Sequence, residues 1–186
     1  MPMESTYMSS YLRPQSLLRL LALSGFLWVG AAQADVYSDV SKLTRSGNTA
    51  DAIAKADQYL STNSRDPQMR FLKGVAQSKA GDLTAATGTF EALIEEYPEL
   101  PEPYNNLAVI YANGGQLDKA RGALEMAVRN NPNYAVAHEN LGDIHARLAH
   151  QAYSKSLQLN DNNRALKLKL STLTSMLQPT QPTTER

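Results

Sequence analysis

An all-α fold, a solenoid of stacked helix pairs, is what this sequence predicts, on three observations. Residue types recur at a step of 34: Gly47, Gly81 and Gly115, then Ala52, Ala86 and Ala120, then Pro98 and Pro132. Within each step the apolar residues fall at helical spacing on both sides of a Gly-bearing turn. At 186 residues the chain holds four such pairs and leaves no room for a second fold.

The first 34 residues stand apart from this pattern. Arg13 and Arg19 flank or interrupt a start rich in Ser and Tyr, an apolar run covers Leu20 to Val29, and Ala32-Gln33-Ala34 gives small-x-small before Asp35. Residues 1–34 are therefore expected to be a secretory signal peptide cut after Ala34. The run is shorter than the roughly 20 apolar residues that span a bilayer, so no stable membrane anchor is expected after cleavage.

Repeat one (33–66) places Val36, Tyr37, Val40 and Leu43 on its first helix, turns at Gly47-Asn48, and continues with Ala52, Ile53, Ala56, Tyr59 and Leu60. Repeat two (67–100) carries Phe71, Leu72, Gly74, Val75 and Ala76, then Gly81-Asp82, then Leu83, Ala86, Phe90, Leu93 and Ile94. Lys73 stands at the repeat position that Leu107 and Leu141 fill in repeats three and four. Repeat three (101–134) is the most regular. Tyr104, Leu107, Ala108 and Tyr111 fall at i, i+3, i+4 and i+7, Gly114-Gly115 break the helix, and Ala120, Ala123, Leu124 and Ala127 form the second stripe. Repeat four begins at Ala135 with Leu141, Ile144, Gly142 at the close-packing position, and His138 and His145 at the interhelix packing sites that Tyr104 and Tyr111 fill in repeat three, but its second half arrives early and without a turn glycine. With no stop signal, residues 135–160 are expected to form a single long helix. Leu166, Leu170, Leu173 and Leu177 then make the stripe of a capping helix over 164–177, and 178–186 reads as a disordered tail.

Composition excludes several function classes. Eighteen basic and eighteen acidic residues cancel, so no field holds a polyphosphate and no nucleic-acid partner is expected. Cysteine is absent, which removes thiolate metal sites and catalytic thiols. His138, His145 and His150 lack the spacing of a helical ligand pair, and His138-Glu139 is not followed by a second His at zinc-protease spacing. Neither a phosphate loop nor a nucleophile elbow is present. No catalytic residue, metal or cofactor is expected.

Tyr104, Leu107, Ala108, Tyr111, Ala120, Leu124, Ala127 and Pro132 stand at repeat positions 4, 7, 8, 11, 20, 24, 27 and 32. In this the chain resembles the tetratricopeptide repeat (TPR) family, which implies a right-handed superhelical α-solenoid. The resemblance also implies a concave groove lined by the first helices of successive repeats. Carried over by position, the groove residues are Phe71, Leu72, Val75 and Lys79; Asn105, Asn106, Val109 and Asn113; and Glu139, Asn140, Asp143 and Arg147. Asn offers both a donor and an acceptor, so Asn105, Asn106 and Asn140 suit the backbone of an extended peptide.

The segments Leu100 to Ala112 and Glu139 to Tyr153 further resemble exported TPR proteins of Gram-negative bacteria with a shortened last repeat. That resemblance implies a periplasmic scaffold or adaptor with protein or peptide partners and a role in the cell envelope. The alternatives are a structural homo-oligomer joined through the C-terminal helix, and an accessory to an envelope hydrolase or transpeptidase.

Overall fold

The computed structural model describes residues 35–177, so the expected signal peptide and tail lie outside the described residues. Among the described residues eight helices follow one another. Their ranges are α1 (35–45), α2 (Thr49–Leu60), α3 (Pro67–Lys79), α4 (Leu83–Glu96), α5 (Pro101–Asn113), α6 (Leu117–Asn130), α7 (Ala135–Leu159) and α8 (Arg164–Leu177). From α2 onward each helix packs on the next, and α5 also meets α7. The chain is an all-α TPR-type solenoid, with no strand among the described residues.

One turn is used three times. Gly47, Gly81 and Gly115 take φ of 86°, 84° and 74°, a region in which a Cβ would clash. The next residue then donates its N–H back five residues: Asn48 to Leu43, Asp82 to Gln77 and Gln116 to Tyr111, at 2.9, 3.0 and 2.8 Å. This Schellman closure satisfies carbonyls that the helix end leaves without partners. Helix starts repeat as well, with Pro67 and Pro101 in the first turn, where a missing N–H costs nothing. Asp66 and Asp82 cap α3 and α4 through Met69 N–H and Ala85 N–H, both at 2.9 Å.

The core crosses the repeat boundaries. Val40, Ala52 and Ala56 of the first pair are completed by Met69 and Ala76 of α3. Ala86, Phe90 and Leu93 of α4 are completed by Leu107 of α5, and Ala120, Leu124 and Ala127 of α6 by Ala137 and Ile144 of α7. A single pair cannot bury its apolar side alone, so each takes its cover from the next pair.

Within a pair, repeat positions 8 and 24 trade volume. Gly74 lies against the Phe90 ring; Ala108 shares a cluster with Leu124, and Val40 with Ala56. The large partner sits on either helix, which accounts for Val40 where a small residue is usual.

Residues 135–159 are one helix, as the missing stop signals imply. Because the returning helix, α8, packs along the second half of α7, with Thr174 against His150, nothing lies within 4 Å of a Cβ built at Gly142, and the close-packing expected there is absent. His138 and His145, expected at packed sites like those of Tyr104 and Tyr111, are exposed for the same reason.

Candidate functional site

The first helices of the pairs, α3, α5 and α7, line one face. Between α5 and α7 it holds a pocket of about 190 Å³ with an apolar floor of Ala108, Ala112, Leu124 and Ile144. Val109 and Asn113 from α5, with Asn140, Asp143 and Arg147 from α7, form its walls. Five of the groove residues expected from sequence therefore meet at one place. Val109 is 42% exposed, an apolar side chain left open to solvent beside polar neighbours.

Several of the others have their polar atoms occupied internally. Asn105 is only 7% exposed and accepts a 2.8 Å hydrogen bond from Asn140 Nδ2, which removes Asn105 from the open surface. Asn106 donates to the Glu102 carbonyl one turn earlier, at 2.9 Å. Asn105 and Asn106 thus bond to the solenoid itself, and of the three asparagines of α5 Asn113 alone makes no side-chain hydrogen bond among the described residues.

The groove cations are likewise tied. Lys79 Nζ donates to the Arg45 carbonyl at 2.9 Å, and an Arg147 guanidinium nitrogen donates to the Ala112 carbonyl at 2.8 Å. Each caps the C-terminal end of the preceding first helix, where a positive charge is favoured by the dipole. Glu102, Glu139 and Asp143 are exposed and form no ion pair among the described residues.

On α3, Val75 and Leu72 are half-buried, and Phe71 packs on Phe90 with ring centroids 5.8 Å apart. A second recess, about 280 Å³, opens between the starts of α3 and α5 and is lined by Pro67, Gln68, Phe71, Leu100, Glu102 and Pro103. Lys73 points away and pairs with Asp57 of α2 at 2.6 Å, which explains a lysine at the repeat position that Leu107 and Leu141 fill in repeats three and four.

A polar cluster that the sequence reading did not single out closes the first repeat. Tyr37 and Tyr59 donate to Asp66 Oδ2 at 2.5 and 3.1 Å, their rings 5.6 Å apart, while Asp66 Oδ1 caps α3. Burial opposes ionisation of Asp66, but the hydrogen bonds from Tyr37, the backbone and Tyr59 outweigh it and hold its pKa below the usual value. Burial, and then the bond to Asp66, pushes the Tyr37 phenol well up. The Asp66-Pro67 pair is itself a helix-start signal that could have flagged the aspartate.

Two tyrosines near the first-helix face are shifted. Burial raises the pKa of Tyr111 first, and its bond to Glu91 raises it further; Tyr134 is raised by burial and then by the Glu102 charge. No group of three His, Asp or Glu converges among the described residues. His138 is held near the Pro132 carbonyl and His150 near Thr174.

Comparisons agree on the architecture. Tetratricopeptide repeat profiles match residues 43–101 and 78–144. An uncharacterized protein, ycf37, of Pyropia yezoensis is 41% identical over 66 residues, covering 33% of this chain and 37% of its own length. A chloroplastic TPR domain-containing protein of Arabidopsis thaliana, PYG7, is 37% identical over 71 residues, covering 36% and 24%. The chain thus spans well under half the length of either relative.

Among solved structures, a thermophilic TPR protein of Thermus thermophilus superposes with a TM-score of 0.57 at 23% identity over 77% of this chain and 82% of that one. The Yersinia enterocolitica secretion chaperone SycD, in complex with a peptide of the translocator YopD, gives 0.56 at 16% identity over 63% and 95%. These share the fold. The sequence relatives correct the expected periplasmic location: one of them is chloroplastic by name, so resemblance to exported bacterial proteins does not fix a compartment.

Proposed function

Because the chain belongs to the tetratricopeptide repeat family, we propose that it is an adaptor that holds a protein or peptide segment against its first-helix face and carries out no chemistry of its own. The observation that carries this reading is the α5–α7 pocket, an apolar floor ringed by Val109, Asn113, Asp143 and Arg147. The walls stand on two packed helices, so the surface is already shaped before a ligand arrives. SycD, of the same fold, is described in complex with a peptide, which supports the same use here. The groove assignment for Phe71, Val75, Lys79, Asn106, Glu139 and Asn140 belongs to this proposal, with Asn105 beneath the surface as the acceptor that holds Asn140.

A photo-crosslinking residue placed at Val109, on the pocket, and separately at Leu83, on a second helix and equally open at 41%, tests it. Capture of a defined partner from Val109 and not from Leu83 supports the reading. Equal capture from both positions refutes it.

A second reading is favoured by Leu168 and Met176, each 69% exposed on α8, a face suited to joining two copies. Light scattering of the protein and of a Leu168→Glu/Met176→Glu variant decides it: a monomer in both removes the oligomer.

A further inference from the structure

The recess between the starts of α3 and α5 is built differently from the α5–α7 pocket. Its walls are Pro67, Phe71, Leu100 and Pro103, with Gln68 and Glu102 as the polar lining. At about 280 Å³ it lies just below the range of pockets for whole small molecules and suits one large side chain. The walls are braced: Phe71 rests on fully buried Phe90, and Pro103 is itself buried. Two helices begin here, and helix starts ordinarily invite anions. These starts do not. Proline at 67, 101 and 103 removes backbone donors, and Asp66 already takes the Met69 N–H.

An anion entering the recess would meet a carboxylate. Glu102 forms no ion pair among the described residues, whereas nearby Glu96 is neutralised by Arg70 at 2.5 Å. Lys79 and Arg147, the groove cations, are held on backbone carbonyls. The charge that this recess lacks is a positive one.

We propose that the recess takes one large apolar side chain of a protein partner, and that a Lys or Arg next to it in the partner's sequence pairs with Glu102. The proposal rests on the peptide-binding reading and adds the partner's chemistry, a basic segment with an apolar anchor. Acidic segments are repelled from the same place.

Three labelled peptides test this on the full chain by fluorescence anisotropy, identical but for the centre: Lys-Phe-Lys, Glu-Phe-Glu and Lys-Gly-Lys in a Gly/Ser frame. The Lys-Phe-Lys peptide should bind tightest. Glu102→Gln should weaken it about two- to fivefold, the reach of an exposed ion pair, and Glu102→Lys should turn the preference toward Glu-Phe-Glu. Both substitutions are at an exposed position, and circular dichroism melts of each variant check that the fold is intact. Equal binding of the three peptides, or of none, overturns the proposal. So does Lys-Phe-Lys binding that ignores Glu102 but is lost in Val109→Trp, which fills the α5–α7 pocket; that result would leave the peptide-binding reading standing.

Discussion

Alanine at Gly74 and alanine at Gly142 make the same chemical change at the same repeat position and should have opposite effects. A Cβ at Gly74 would lie 2.6 Å from Phe90 Cε1, 2.9 Å from Cζ and 3.1 Å from Cδ1. Carbon atoms rest comfortably at about 3.5–4.0 Å. Phe90 cannot swing aside, because it is fully buried between Phe71 and Leu107. Overpacking of this kind costs about 1–3 kcal/mol, against about 0.5–1 kcal/mol recovered when Ala replaces Gly inside a helix.

At Gly142 no atom lies within 4 Å, so only the helix gain remains. The propensity term cancels in the comparison, and the two variants should differ by the overpacking alone, about 1–3 kcal/mol. At about 2–4 °C per kcal/mol for a chain of this size, their melting temperatures should lie roughly 2–12 °C apart. Thermal melts followed by circular dichroism measure it. Gly74→Ala/Phe90→Leu should recover much of the loss, since that pairing copies Ala108 and Leu124 of the next repeat. If Gly74→Ala and Gly142→Ala shift the melt equally and in one direction, the volume trade between the paired positions is refuted.

Two further outcomes follow from single contacts. Asp66→Ala removes the α3 cap and the acceptor for Tyr37 and Tyr59, and should cost about 1–2 kcal/mol near neutral pH. The pKa of Asp66 is depressed in the fold, so its contribution is complete above the ordinary aspartate value near 3.9 and is lost as pH falls through the lower folded value; urea melts at neutral and strongly acidic pH should show the gap between wild type and variant closing. Lys73→Met breaks the Asp57 pair, which is partly exposed, and should cost at most about 1 kcal/mol. A wild-type advantage that does not shrink in high salt would argue that the pair is not what the lysine contributes.

The turns and helix pairs were legible because they depend on local chemistry repeated in phase: a glycine with positive φ, a proline at a helix start, an apolar residue every turn. Long α7 was legible too, from the missing stop. What escaped was where polar side chains spend their hydrogen bonds. Asn140 reaches Asn105 and Arg147 reaches the Ala112 carbonyl, each across 35 residues, and no spacing rule along one helix anticipates a partner on another. The exposure of His138 and His145 escaped for a related reason. Their repeat positions promise packing only when the second helix folds back beside them, and here α8 returns along the second half of α7 instead. The compartment was read from a leader and a resemblance, neither of which reports on the packed body.

The shortened last repeat also decides which part of the site is robust. In α7 the buried residues are Ala137 and Ile144, both in its first half and both seated on the α5–α6 pair. Its second half relies on α8, where Leu166 alone is buried and Leu168 and Met176 face solvent. Stability in a stack of repeats is a sum of neighbour interfaces, so the end with least burial opens first. Hydrogen exchange should therefore be fastest in α8 and in α7 beyond Arg147, while Asn140, Asp143 and Arg147 stay protected with α5. Fraying of the cap then leaves the α5–α7 pocket standing, because the side chains that build it are anchored on the regular repeat and owe nothing to the helix that covers the end.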